Sequence, residues 1–155
     1  MGKVSITKEF SWDMAHLLAG HEGLCKNLHG HTYKMQIEVT RKIEDVIRSE
    51  INSEGMVIDF KDLKQLVKDR IVDPLDHAFM YWINSPEPLE HDIAQILIKN
   101  QRKVARVSYR PTAEEMAMNF FDTLTKELLL LNLELRTVKV WETPTSFAEV
   151  KGESI

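Results

Sequence analysis

Two stretches of the chain alternate apolar and polar residues with a period of two. In the first, Val4, Ile6, Phe10, Trp12 and Met14 share one parity, with Ser5, Thr7, Glu9, Ser11 and Asp13 between them. In the second, Tyr33, Met35, Ile37 and Val39 alternate with Thr32, Lys34, Gln36, Glu38 and Thr40. Such alternation predicts half-buried strands. His16 continues the apolar row of the first, and His29 and His31 lie in phase with the apolar face of the second. Residues 17–28 between them, with Gly20, Gly23 and Cys25, read as a loop.

Helical spacing follows at 43–51 through Ile43, Val46, Ile47 and Ile51, ended by Asn52-Ser-Glu-Gly55. After a short extended link at 56–58, Asp59 is a suitable N-cap for a helix presenting Phe60, Leu63, Leu66, Val67 and Ile71. Pro74 is expected to bound it. A helix over 89–100 and a third strand over 104–109 come next. Thr112-Ala-Glu-Glu115 has the form of a capping box, opening a helix with Met116, Phe120, Leu124 and Leu128 on one face. Residues 135–142 read as a fourth strand, and Ser146 to Val150 as its extension beyond Pro144. The predicted class is α+β, one domain over 1–155, with a mainly antiparallel four-stranded sheet backed by two main helices.

Composition narrows the function. A chain of 155 residues with 43% hydrophobic and 28% charged residues is ordinary for a globular protein. The net charge of −4 argues against a nucleic-acid groove. No run reaches the length of a membrane span. The N-terminus opens on an alternating strand rather than a continuous apolar stretch, unlike a secretory leader. A single cysteine rules out an internal disulfide and fits a reducing compartment. A cytoplasmic location is the expectation.

The candidate chemistry sits in Cys25-Lys-Asn-Leu-His29-Gly-His31 together with His16. If the two strands pair, all three imidazoles leave one surface. A core-facing imidazole without a partner carries a desolvation cost, so three converging ones point to a shared cation. Three imidazoles on zinc leave a coordination position open, as in a catalytic site, and Cys25 supplies a nearby thiol. An alternative has Cys25 as a fourth ligand, closing the site. Asp76-His77 places a carboxylate beside an imidazole. Glu142 shares the parity of Val138 and Val140, and a carboxylate there could accept two parallel hydrogen bonds from a guanidine-like edge. No P-loop, His-Glu-x-x-His or Gly-x-Gly-x-x-Gly is present.

Taken in order, Asp13-Met-Ala-His16, Cys25-x-x-x-His29-Gly-His31, Met56-Val-Ile-Asp-Phe60, Leu75-Asp-His77, Pro111-Thr-Ala-Glu114 and Glu142-Thr143 resemble the 6-pyruvoyltetrahydropterin synthase and 6-carboxytetrahydropterin synthase family. The resemblance implies the tunnelling fold, assembled as a homohexamer of two trimers with active sites between subunits. It implies zinc, Zn(2+), on His16, His29 and His31. Cys25 would be the catalytic thiol, Asp76 and His77 the relay pair, and Glu142 the anchor of the pterin ring. Thr112, at a helix start, becomes a candidate substrate contact, and Lys26 a candidate for the triphosphate. Three residues between the thiol and His-Gly-His are similar to the carboxy-forming members of the queuosine (7-deazaguanine) pathway, which act on 7,8-dihydroneopterin triphosphate. The pyruvoyl-forming eliminase and a non-catalytic zinc-dependent pterin-binding protein stay open as alternatives. The stretch from Ala78 to Arg110 is longer than in compact members, an expected peripheral helix, and Arg110 and Glu115 depart from the usual Asn-Pro-Thr-Ala-Glu-Asn.

Overall fold

The computed structural model describes residues 2–47 and 55–153. The alternation of the first two segments becomes a long antiparallel hairpin of β1 (Lys3–His16) and β2 (His29–Lys42), paired from Lys3 opposite Lys42 to His16 opposite His29. A 3-10 turn at Leu24–Lys26 lies in the connecting loop. The short helix α1 (Ile43–Ile47) carries the helical spacing after β2. The rest of that expected helix, 48–51, and the turn at 52–54 lie outside the described residues.

Helix α2 (Phe60–Val67) begins where expected, with the Asp59 carboxylate accepting from the Lys61 amide at 2.8 Å. It does not stop before Pro74. The chain widens into a π-helical turn at Lys68–Val72 and closes with α3 (Asp73–Leu75). A proline inside a regular helix removes a hydrogen bond and collides with the carbonyl four residues back. The wider turn is a known way to absorb such a misfit, and it carries the helix to the residue before Asp76.

The expected four strands are six. The expected helix over 89–100 and strand over 104–109 form as α4 (Pro88–Lys99) and β4 (Val104–Val107), and an unexpected strand before them, β3 (Ala78–Trp82), makes the three a parallel crossover unit. Ala78-Phe-Met-Tyr-Trp82 escaped the pattern because its first three residues are all buried, so it shows no alternation. Glu90 is buried in this unit, where its carboxylate accepts from the Trp82 amide at 2.8 Å. Burial raises the carboxyl's pKa, and that bond opposes the shift. The sixth strand is the segment read as an extension of the last one. β5 (Glu134–Thr143) turns at Pro144 and Thr145, and β6 (Ser146–Lys151) returns antiparallel with Thr143 opposite Ser146.

The sheet order is β4-β3-β1-β2-β5-β6, antiparallel except where β3 meets β1 and β4. Helix α5 (Ala113–Leu129) is capped by the Thr112 hydroxyl, which accepts from the Glu115 amide at 3.2 Å. Only that half of the capping box forms, because the Thr112 amide donates to the Arg110 carbonyl. Helices α2 and α5 cover one face, where Trp12, Tyr33, Met35, Ile37, Val138 and Val140 meet Leu63, Val67, Phe120 and Leu124 in one core. The other face of β1 and β2 carries Ser11, Asp13, Thr32 and Lys34.

Leu124 is fully buried and Leu129, five residues on, is 68% exposed. Leu124→Ala is therefore expected to lower stability by about 3 kcal/mol, and Leu129→Ala by no more than about 0.5 kcal/mol. Urea midpoints of the two variants check this, and equal midpoints would contradict the packing described.

Candidate metal centre and paired relay

The β1–β2 register brings the three histidines together. His16 stands opposite His29, and His31 follows two residues later on the same face of β2. The ring centroids are 4.7 Å apart for His16 and His29, 4.9 Å for His29 and His31, and 5.3 Å for His16 and His31. Glycine at 30 matters here. A Cβ at that position would lie 3.2 Å from the Met14 carbonyl oxygen, a tight approach to backbone that has little freedom to move.

Hydrogen bonds decide what the rings offer. His16 Nδ1 lies 2.8 Å from the Pro111 carbonyl, and His29 Nδ1 lies 2.7 Å from the Asn27 carbonyl. A carbonyl only accepts, so each Nδ1 carries the proton and each Nε2 presents a lone pair. Those two Nε2 atoms are 3.2 Å apart. Two lone pairs at that separation repel unless a cation lies between them. Ligands about 2.05 Å from a tetrahedral ion stand about 3.3 Å from one another. His31 Nε2 is buried with no hydrogen-bond partner among the described residues. The donor set therefore fits a divalent ion of the zinc type, with carbonyls orienting two of its ligands.

The electrostatics agree with neutral rings at His16 and His31. Burial lowers the His16 pKa to about 4, and the neighbouring His29 and His31 add to this against the opposing Pro111 bond. His31 is also lowered, chiefly by burial, with Glu142 opposing. The Tyr33 hydroxyl, 3.4 Å from both His16 ring nitrogens, is pushed up by burial and by Glu142, so it stays neutral.

The other expected residues divide into two groups. Glu142 joins the triad: one carboxylate oxygen is 3.4 Å from Nε2 of both His16 and His31. It also lines an open cleft of about 530 Å³ with Ser11, Thr32, Lys34 and Trp141. Cys25 is half-buried in the 3-10 turn of the connecting loop and is not among the side chains whose ligand atoms converge. Its backbone is fastened by the Leu18 amide, and Arg110 donates to the Ala19 carbonyl of the same loop. Thr112 is occupied as the α5 cap, while the adjacent Pro111 carbonyl holds His16. Lys26 is exposed and lines neither cleft beside the triad.

Asp76 and His77 form a second cluster. His77 Nδ1 donates to the Asp76 carboxylate at 3.0 Å, and the Asp13 amide donates to the same oxygen at 3.1 Å. The His77 amide donates to the Asp13 carbonyl at 2.7 Å, and Thr32 donates its hydroxyl to the Asp13 carboxylate. The Asp13 bond, then His77 and Lys103, hold the Asp76 carboxyl below its ordinary range despite some desolvation. Asp13 and Thr32 face away from the triad, because alternation puts them on the outer side of β1 and β2. Ligand atoms of Asp13, Asp76 and His77 lie within 4.8 Å of one another. Asp13 and His77 line a cleft of about 430 Å³ together with Ala15, Gly30 and His31. Asp13 and Thr32 thus lie on the face of the strands away from the triad, and the pair forms a cluster of its own with Asp13.

The family model for 6-pyruvoyl tetrahydropterin synthase matches residues 5–153. The chain belongs to that family. It is 48% identical over 144 residues to a protein of Haemophilus influenzae named 6-carboxy-5,6,7,8-tetrahydropterin synthase, covering 93% of this chain and 96% of the relative. A protein of the same name from Aquifex aeolicus is 36% identical, covering 83% and 76%. Among solved structures, an uncharacterised protein from Wolinella succinogenes superposes with a TM-score of 0.76 at 24% identity, over 99% and 100% of the two chains. The 6-pyruvoyl tetrahydropterin synthase of Plasmodium falciparum gives 0.68 at 24%, over 96% of each. The tunnelling fold expected from the motifs is the fold observed.

Sequence reasoning missed Tyr33, Asp13, Thr32 and the carbonyls of Asn27 and Pro111. Tyr33 was in phase with the histidines and so open to discovery, whereas a carbonyl leaves no mark in a sequence.

For the metal-free protein the His16 shift has a stability consequence. Its folded pKa of about 4 lies below the ordinary 6.5, so unfolding takes up a proton as pH falls. The stabilisation is complete above about pH 6.5 and is lost toward pH 4, on the order of 3 kcal/mol. Urea unfolding of metal-stripped protein between pH 7.5 and 4.5 should show this fall, and His16→Asn should flatten it.

Proposed function

We propose that the protein is a zinc-dependent 6-carboxy-5,6,7,8-tetrahydropterin synthase of the queuosine pathway in the cytoplasm. It would convert 7,8-dihydroneopterin triphosphate and water into 6-carboxytetrahydropterin, acetaldehyde and triphosphate. The observation that carries this reading is the set of three imidazoles whose ring nitrogens converge beside Glu142. The Haemophilus influenzae relative, similar over nearly the full length of both chains, supports the choice of reaction.

Each residue has a task in this reading. His16, His29 and His31 hold zinc, which supplies a Lewis acid toward the hydroxyl-bearing side chain of the substrate. Glu142 accepts two parallel hydrogen bonds from the guanidine-like edge of the pterin and so fixes the ring beside the triad. Cys25 takes a proton from the side chain. His77 returns one through Nε2, because Asp76 occupies its Nδ1. Thr112 stays a candidate substrate contact through its hydroxyl hydrogen.

Incubating the zinc-loaded protein with dihydroneopterin triphosphate should release acetaldehyde. Cys25→Ala and His77→Ala should each lower kcat by about 100-fold or more. A pyruvoyl pterin formed without acetaldehyde would assign the other branch of the family. No turnover by the wild type would leave a binding protein.

The gathering of Asp76 and His77 into a cluster of their own, apart from the triad, supports a further part of the reading. A site is completed by the Asp76–His77 pair of a neighbouring subunit, in a homohexamer built as a dimer of trimers. Mixing the inactive Cys25→Ala and His77→Ala variants under subunit exchange should then restore activity, since some sites receive both intact groups. If the mixture stays inactive after exchange is verified by mass, each chain uses its own pair.

A further inference from the structure

The crossover unit β3–α4–β4 ends one side of the sheet and brings Lys103 against the turn that carries the relay. The Lys103 ammonium donates to the main-chain carbonyl of Asp76 at 2.6 Å and also to that of Asp73. These carbonyls lie at the end of α3, where a helix leaves acceptors without intrahelical partners and favours a cation. Lys103 is itself placed by the sheet, since its carbonyl accepts from the Phe79 amide at 3.1 Å. Phe79 in turn pairs with Ala15 of β1, next to the histidine ligand His16.

The turn needs such a tether. Asp76 is extended, with φ −62° and ψ 126°. His77 then takes φ +63°, the left-handed region that a side chain with a Cβ adopts at a cost. The conformation lets the His77 amide reach the Asp13 carbonyl while its ring reaches Asp76. It is held from the β1 side by Asp13 and from the β4 side by Lys103. Releasing either side allows the backbone to relax and the ring to turn away.

We propose that Lys103 is a positioning residue for the Asp76–His77 pair, delivered by the β3–α4–β4 unit. The proposal rests on the reading of His77 as a proton carrier, and it gives the long stretch between Ala78 and Arg110 a task in the reaction. Lys103 touches no reacting atom. It acts by pinning two carbonyls, so a side chain that keeps several N–H donors should replace it and an apolar one of equal length should not.

The test uses the zinc-loaded protein with Lys103→Met and Lys103→Arg. The methionine variant should keep its zinc content and KM within about twofold and lose roughly 10- to 100-fold in kcat, the scale of a misplaced catalytic group. The arginine variant should recover most of that loss. Independently of turnover, 15N spectra of the His77 ring should show Nδ1–H held in the wild type and in Lys103→Arg, but averaged in Lys103→Met. Unchanged kcat together with an unchanged ring spectrum in Lys103→Met would overturn the proposal. An altered spectrum with unchanged kcat would uphold the tether and remove His77 from the reaction, separating the two claims. Should Lys103→Met fail to fold, Lys103→Ala, which likewise has no side-chain donor, read by the same spectrum, gives the same decision.

Discussion

The antiparallel pairing of β1 with β2 is the constraint on which the rest depends. Fourteen residues of each strand are in register, and the last pair is His16 with His29. Because side chains alternate strictly along a strand, a slip of one residue would send the histidines of one strand to the opposite face. The register is protected by the core it builds. Phe10, Trp12, Tyr33, Met35, Ile37 and Val39 are buried on the same parity, so a slip would expose several large apolar side chains at once. The candidate metal site thus takes its precision from packing energy rather than from the histidines themselves.

At the site, burial and orientation work together. The same desolvation that keeps His16 neutral makes its lone pair available, and carbonyls of Pro111 and Asn27 aim two of the rings. These acceptors come from the loop before α5 and the loop before β2, so the α5 cap and the connecting loop both shape the histidine cluster. The Asp13 backbone and Lys103 in turn hold the Asp76–His77 turn. β1 therefore contributes to both clusters, His16 from its inner face and Asp13 from its outer face.

Much of this was legible in advance. The alternation around His16 and His29, the Asp59 and Thr112 caps and the parity of Glu142 all reflect local rules that a chain obeys wherever it is placed. Failures came where context overrides pattern. Ala78 to Trp82 shows no alternation because parallel neighbours and a covering helix bury it, and Pro74 failed to end a helix because a π turn accommodated it. The return of β6 was missed because a two-residue turn and a break in a strand look alike in sequence.

The sequence by itself determined the donor set: three in-phase imidazoles, a loop thiol, a carboxylate beside an imidazole and a carboxylate ending an inward row. Periodicity is a property of the covalent chain, so these could be read without coordinates. Only the tertiary structure decided that Pro111, ninety-five residues from His16, would orient that ring, and that Asp76 and His77 would gather on Asp13 rather than join the triad. Lys103 at the back of the relay turn belongs with them. Each of these depends on how distant segments meet, and backbone carbonyls and sheet faces acquire their neighbours only when the chain has folded.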